Sequence, residues 1–467
     1  MTDTLMVGVS GVRGIVDKDL TPEIVTRWAQ AFGRWARERK PLVIVGRDSR
    51  ESGPRFAQAV HVGLTAAGCN VIDVGLVPTP TIQLAVEHHH AGGGIAVTAS
   101  HNPREWNALK FIGPDGIFLD GPDGIMIRDW AASGSNGAER AKGDPATVTT
   151  DDGAIERHLE RLLALPAVDV ERIRSYGFRV ALDTVRGAGG VIMPALLERL
   201  GCAVWGLELT PDGQFSRAPE PVPEHLGNLG TAVRKSASAL GIAVDPDVDR
   251  LAIVDETGTP IGEDYTLAFA VRAVLGDQAV NRTSSQPLIA YAPNRLAVVC
   301  NLSTSLVVED AARECGATVV RTPVGEAHVA RRMVDLSAVI GGEGNGGVIY
   351  PMLHAGRDAP VAAALALTLL ARTGQTVSEL VAAAPRYTIV KAKTPRGPEL
   401  DVVYAALRKR FSDATVDTQD GLRLAWSDRW LHVRPSNTEP IVRLIAEAPA
   451  GGEAQKLVDE GKKLCGV

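Results

Sequence analysis

Four short segments of this 467-residue chain concentrate the side chains able to do chemistry. The first is Thr98-Ala99-Ser100-His101-Asn102-Pro103, directly after the apolar run Ile95-Ala96-Val97. That places Ser100 on a loop at the carboxyl end of a strand, where open α/β sheets bind ligands. A serine hydroxyl carries a transferred group only when neighbours polarise it, and His101 is adjacent with Lys110 following shortly after. Read alone, Ser, Asn and Pro also make an ordinary turn. The hydrolase elbow G-x-S-x-G is absent from the chain, which disfavours acyl transfer by that route.

The second segment, Asp245-Pro246-Asp247-Val248-Asp249-Arg250, sets three carboxylates at alternate positions of a loop stiffened by proline. Hard oxygen ligands converging on one point suit a divalent cation such as Mg²⁺. Without a cation or arginine partners, three carboxylates so close would repel strongly. The spacing is not that of an EF-hand. A solvated acidic turn is the plainer reading, and the apolar runs on both flanks argue against it.

The third segment, Gly342-Glu343-Gly344-Asn345-Gly346-Gly347, formally matches G-x-G-x-x-G, but a dinucleotide site needs a helix to open next. The β-type run Val348-Ile349-Tyr350 follows instead, so the loop is read as presenting Glu343 and Asn345 to a polyhydroxylated ligand. The fourth, Arg434-Pro435-Ser436-Asn437-Thr438-Glu439-Pro440, gathers an arginine, two hydroxyls and an amide into an anion pocket without the lysine of a P-loop. Weaker candidates are Ser10-Gly11-Val12-Arg13-Gly14 and the basic loop Gly46-Arg47-Asp48-Ser49-Arg50. His88-His89-His90 reads as a helix C-terminus stopped by Gly92-Gly93-Gly94 rather than as a metal site.

The elements that must position these loops are short β-branched runs alternating with helical patterns. Val43-Ile44-Val45, a helix from Phe56 to Ala67, and Val71-Ile72-Asp73-Val74 make one such unit. Arg179-Val180-Ala181-Leu182, Gly187 to Gly190 and a helix from Val191 to Leu200 make another. This rhythm predicts parallel α/β units, with Thr21 capping a first helix that opens on Pro22. Composition breaks divide the chain into 1–150, 151–256, 257–375 and 376–467. Each of the three larger pieces contains a strand–glycine loop–helix unit, which hints at a repeated module.

Composition narrows the function. Hydrophobic residues are 45% and charged residues 22%, as in an ordinary globular protein, which excludes a disordered chain or a coiled-coil rod. A net charge of −6 and 4% aromatic residues give nucleic acid no basic face and few stacking platforms. No apolar run reaches the roughly 20 residues of a membrane span, and Met1-Thr2-Asp3-Thr4 does not open a secretory signal. Five scattered cysteines read as buried small hydrophobes. A cytoplasmic enzyme, with neither nucleic acid nor membrane as partner, is the expectation.

In this order the segments resemble those of the α-D-phosphohexomutase superfamily, with Val77-Pro78-Thr79-Pro80-Thr81 and Pro211-Asp212-Gly213 as further matches. The resemblance spans essentially the whole chain. It implies three similar α/β domains with mixed sheets plus a smaller C-terminal α+β domain around a central cleft. It implies that Ser100 is phosphorylated in the resting enzyme, and that Asp245, Asp247 and Asp249 hold Mg²⁺ together with the phosphoserine. Arg13, His101 and Lys110 would serve the transferred phosphoryl group. Arg250, Glu343, Asn345, Arg434, Ser436, Asn437, Thr438 and Arg443 would bind substrate. Phosphate would pass between O6 and O1 of a hexose phosphate through a 1,6-bisphosphate, in a monomer or homodimer.

Many bacterial members carry Glu-x-Ser-Gly-His in the sugar loop, where this chain has Glu343-Gly344-Asn345-Gly346-Gly347. A second family histidine falls on Glu326, leaving Lys110, Glu326 and His328 as alternative general bases. The Gly-Asn-Gly-Gly version resembles archaeal-type phosphoglucosamine mutases, which favours glucosamine phosphate over glucose or mannose phosphates. A silent sugar-phosphate binder would be expected to lose Ser100 or an aspartate, and a phosphatase would release inorganic phosphate.

Overall fold

The computed structural model describes residues 5–8, 10–133, 145–281, 296–395, 399–436 and 441–466. Four sheets follow one another along the chain. The first is Met6–Gly8, Gly11–Ile15, Trp106–Ile112, Gly93–Val97, Leu42–Arg47, Asn70–Leu76 and Val148–Thr150, in spatial order. The second is Leu251–Val254, Leu240–Val244, Arg179–Asp183 and Ala203–Leu207; the third is Gly347–Ile349, Ile340–Glu343, Ala297–Asn301 and Thr318–Thr322. All three contain the same module. Two parallel strands are joined by a third on the far side of the first, and a fourth returns antiparallel beside the third.

This topology makes three loops equivalent: 98–105, 245–250 and 344–346 each join the third strand of a module to its antiparallel fourth. Each turns through one left-handed residue, Ser100 at φ 49°, Val248 at φ 63° and Gly346 at φ 85°. A side chain in that conformation costs about 1–2 kcal/mol, so the surrounding structure must hold Ser100 and Val248 there. Gly346 has no such choice, since a Cβ would lie 2.3 Å from the carbonyl oxygen of Leu251.

The C-terminal sheet is wholly antiparallel, Thr388–Pro395, Ile441–Ala448, Trp430–Pro435, Leu422–Ala425 and Thr415–Asp417, with helices Leu400–Arg410 and Gly451–Leu464. One apolar core reaches from Leu84 through Leu162, Leu196 and Phe269 to Leu370 and ties the first three sheets together. Its centre is the helix Ala359–Thr373, in which every residue from Ala359 to Ala371 is buried. The C-terminal unit has a core of its own, around Leu407, Leu424, Leu444 and Val458. Its seam to the third sheet is polar: His432 Nδ1 lies 2.8 Å from Ser303 Oγ, and Glu447 accepts from the Leu306 amide and from Ser305.

Thr21 caps Pro22–Arg37 as its sequence suggests, accepting from the amide of Ile24. The next helix runs Gly53–Ala66 rather than starting at Phe56, because Pro54 suits its first turn. Thr79–His88 ends at the histidine run, where His89 Nε2 meets Asp151 at 2.8 Å. No helix among the described residues is long and apolar enough to cross a membrane.

Candidate active site

The strained turn at Ser100 is held from below by a buried arginine. Arg50, fully shielded from solvent, donates to the backbone carbonyls of Ser100 (2.6 Å), Asn102 (2.7 Å), Pro103 (2.7 Å) and Trp106 (3.0 Å), while its Nε pairs with Asp48 at 3.0 Å. Hydrogen bonds to a charged group contribute about 1.5–3 kcal/mol each, enough to outweigh the left-handed backbone several times over. Thr98 completes the frame, accepting from the Ser100 amide and donating to Asp48. The loop is therefore rigid before any ligand arrives, with Ser100 only 3% exposed.

From that position Ser100 Oγ donates to Asp245 Oδ2 at 2.9 Å and lies 3.4 Å from His101 Nδ1. The two modules thus bring the serine and the acidic loop into direct contact. Asp245, Asp247 and Asp249 are all buried, with a ligand oxygen of each within 4.8 Å of the others. At an effective dielectric of 20, unit charges at that separation repel by more than about 3 kcal/mol per pair. Burial, then the charges of Asp249 and Asp247, push the Asp245 carboxyl well above its ordinary range.

Cations offset part of this repulsion. Lys110 Nζ donates to Asp247 Oδ2 at 2.6 Å, and Thr79 Oγ1 donates to the same oxygen at 2.7 Å. Arg357 Nη2 donates to Asp249 Oδ2 at 2.6 Å. Burial opposes charge on Lys110, yet Asp247 and Asp249 hold its ammonium above its ordinary value. His101 is the opposite case: Arg250 first, then burial and Arg13, hold its imidazole well below its ordinary value.

Asp247 Oδ1 and Asp249 Oδ1 are buried and accept no hydrogen bond among the described residues, Asp249 Oδ1 lying 3.8 Å from Arg250 Nε. Leaving a buried carboxylate oxygen unpaired costs about 1–3 kcal/mol or more. Two such oxygens beside the serine hydroxyl form a hard, anionic donor set that fits a small divalent cation.

A cavity of about 700 Å³ opens beside this centre, between the second, third and fourth units. Glu220 links the two: it lines the cavity, accepts from Arg250 at 2.9 Å and lies 4.0 Å from His101 Nε2. Glu343 and Asn345 form the wall of the third unit. The Glu343 carboxylate is only 2% exposed and already accepts from Asn301, the Gly325 amide and Arg357. Arg434 and Arg443 form the wall of the C-terminal unit, directly opposite each other on paired strands, with Lys393 next in the same row. Arg434 Nε lies 2.9 Å from Asp420 Oδ2, and a row of three cations suits an anionic group. Ser436 directly follows the strand, its amide donating to Ile441 O, while Asn437 and Thr438 lie outside the described residues.

Arg13 reaches the serine loop itself, donating to Asn102 Oδ1 at 2.5 Å. Of the alternative bases, Lys110 is bonded to Asp247, Glu326 is buried against Arg357, and His328 is exposed. Sequence reasoning missed Arg357, Glu220 and Lys393, and it gave Arg50 only minor weight. Arg357 carries no local motif, and its one signal is Gly347, where a Cβ would fall 2.2 Å from Arg357 Cδ.

Known proteins resemble the chain over nearly its whole length. Family models described as phosphoglucomutase/phosphomannomutase alpha/beta/alpha domains I, II and III match residues 4–136, 156–258 and 265–387, and the C-terminal domain model matches 390–463. A "Phosphoglucomutase/phosphomannomutase" of Thermococcus kodakarensis is 37% identical over 469 residues, covering 98% of this chain and 97% of the relative. A "Phosphoglucosamine/phosphogalactosamine mutase" of Sulfurisphaera tokodaii is 32% identical, covering 98% of each. The crystal structure of a phosphoglucomutase/phosphomannomutase family protein from Burkholderia thailandensis shares the fold, with a TM-score of 0.82 at 24% identity over 98% of this chain and 97% of that one. With all four domains matched in order and relatives above 30% identity over nearly the full length, the chain belongs to the phosphoglucomutase/phosphomannomutase family and is a phosphohexomutase.

Proposed function

We propose that this chain transfers phosphate between O6 and O1 of a hexose phosphate through a phosphoserine at Ser100 and a sugar 1,6-bisphosphate. The observation that carries the reading is the Ser100 hydroxyl 2.9 Å from Asp245, within a ring of carboxylates that leaves two buried oxygens without a hydrogen bond among the described residues. Asp245, Asp247, Asp249 and the oxygen on Ser100 would hold Mg²⁺. Bound there, the ion supplies charge neutralisation for a phosphoryl group on the serine.

The chain's own residues account for the rest. Arg50 fixes the Ser100 backbone so that Oγ faces the cleft. Arg13 and Lys110 supply positive charge at the serine loop, where a transferring phosphoryl group carries its negative charge. His101, held neutral beside Ser100, is a proton acceptor and not a further cation. Arg434 and Arg443, in a row with Lys393, hold the phosphate that is not reacting, aided by Ser436, Asn437 and Thr438. Arg250, Glu343 and Asn345 face the sugar between these two ends. The bisphosphate exchanges its two phosphates between the ends and returns one to Ser100.

Glucosamine 6-phosphate is the substrate the site supports best. The cavity wall carries the carboxylates Glu224 and Glu263, with Glu220 paired to Arg250 beside them, which suits an ammonium group on the sugar. The Gly344-Asn345-Gly346-Gly347 loop agrees, as does the name of the Sulfurisphaera relative. The name of the Thermococcus relative supports the second reading, a mutase of relaxed specificity on glucose and mannose phosphates. Turnover of glucosamine, glucose and mannose phosphates, side by side with Mg²⁺ and a sugar bisphosphate, tests both. A preference for glucosamine phosphate is expected; equal turnover of the others selects the second reading. Stoichiometric release of inorganic phosphate would overturn the mutase cycle in favour of hydrolysis.

A further inference from the structure

Arg357 sits where the metal loop, the sugar loop and the helix Glu326–Leu336 converge, and none of the expected roles uses it. Its guanidinium spends one arm on each of two loops: Nη2 on Asp249 Oδ2 at 2.6 Å and Nη1 on Glu343 Oε2 at 2.7 Å. Its Nε lies 3.0 Å from Glu326 Oε2, and its backbone amide donates to Glu326 Oε1 at 3.1 Å. The side chain is 9% exposed, and Gly347 lacks the Cβ that would displace its stem.

The other aspartates show a matching pattern. Asp247 Oδ2 is taken by Lys110 and Thr79, while both oxygens of Asp245 already accept hydrogen bonds, Oδ1 from the Asp249 and Arg250 amides and Oδ2 from Ser100. Asp247 and Asp249 are each left with a single oxygen that accepts no hydrogen bond among the described residues. Arg250 Nε lies 3.8 Å from Asp249 Oδ1, and Lys110 Nζ stands 3.6 Å from Asp249 Oδ2, farther off than Arg357. Mg²⁺ demands compact octahedral geometry and accepts carboxylates one oxygen at a time. Ca²⁺ takes more oxygens at longer range and readily accepts a carboxylate through both.

We propose that Arg357 is a specificity-determining residue: by occupying Asp249 Oδ2 it restricts Asp249 to one-oxygen coordination and so discriminates against cations larger than Mg²⁺. The proposal rests on the reading that Asp249 belongs to the cation site. Because the clamp also grips Glu343, the oxygen offered to the metal and the carboxylate facing the sugar are set by one rigid planar group. A lysine cannot reproduce this, since its ammonium is a single point and not a fork.

The test is the ratio of Kd values for Mg²⁺ and Ca²⁺, measured by calorimetric titration of the full chain with each chloride salt. Arg357→Met, which keeps the stem and removes the donors, should shrink the Mg²⁺ preference by roughly tenfold, the usual scale for groups that orient metal ligands. Gly347→Ala displaces the stem without touching a metal ligand and should shift the ratio in the same direction; it carries the test if Arg357→Met does not fold. General destabilisation lowers both affinities together and leaves the ratio unchanged. An unchanged ratio in a folded variant overturns the role of Arg357 alone. Absence of saturable Mg²⁺ binding to the unaltered chain overturns the cation site and this proposal with it.

Discussion

Two buried carboxylate clusters lie on either side of the Arg357–Asp358 peptide, and they are built to opposite ends. Arg357 reaches into the acidic loop, where three aspartates share too few partners and two oxygens accept no hydrogen bond among the described residues. Asp358 reaches the other way. Its Oδ1 caps the helix Ala359–Thr373 through the Val361 amide, and its Oδ2 lies 2.8 Å from His158 Nε2 and 3.1 Å from His354 Nε2. His158 passes the chain of bonds on to Thr81 at 2.8 Å, so one carboxylate joins elements of the first three units. Burial opposes its charge, but His158 and then His354 more than offset this and hold the Asp358 carboxyl below its ordinary range. A carboxylate whose two oxygens both find hydrogen-bond partners, as Asp358 does, is structural, whereas a cluster held together yet left with open carboxylate oxygens is prepared for a ligand.

The comparison can be broken most sharply at its reactive end. Ser100→Ala should lower turnover by several orders of magnitude and the Tm only modestly, because the folding contact it removes is chiefly the hydrogen bond to Asp245 Oδ2. Near-normal turnover would sink the phosphoserine. Asp245→Asn should abolish calorimetric Mg²⁺ binding while raising the Tm of the metal-free protein, since it relieves repulsion among three carboxylates. A fall in Tm would mean that this cluster, too, is structural. His158→Ala should do the reverse, lowering stability by about 2–5 kcal/mol in urea unfolding through a cavity and the loss of one of the two histidines facing Asp358, with Mg²⁺ affinity retained.

Asp264 sharpens the contrast at its smallest scale. It is a buried carboxyl on the cavity wall with the Ser305 amide on one oxygen, and burial pushes it up to about 8. Its neutral form is the one that folding favours. Its contribution is therefore complete below about pH 4 and is lost as the pH rises towards 8. Asp264→Asn keeps the acceptor and cannot ionise, so its Tm should match the unaltered chain at pH 4 and exceed it at pH 8. Equal pH profiles for the two proteins would show that Asp264 ionises freely.

What was legible in the sequence follows from how local each feature is. Asp245, Asp247 and Asp249 are close in the chain, and a loop after a strand forces them together whatever the rest of the fold does. Ser100 was visible because its loop follows an apolar run. The match of the three modules was only hinted at, because strand order is a property of pairing and leaves no trace in composition. Arg50 and Arg357 were missed or underweighted for the same reason. Their partners lie about 50 and 110 residues away along the chain, and neither has a motif of its own. A glycine with no turn to make, such as Gly347, is the one local mark such an arginine leaves.

The separate core of the C-terminal unit and its polar seam also govern how the molecule melts. Inter-unit surfaces built from hydrogen bonds rather than shared apolar packing transmit cooperativity poorly. Heating the free chain should therefore give two overlapping heat-absorption peaks, the smaller from residues beyond the seam. A hexose phosphate held at one end by Ser100 and its neighbours and at the other by Arg434 would stitch the two melts into one.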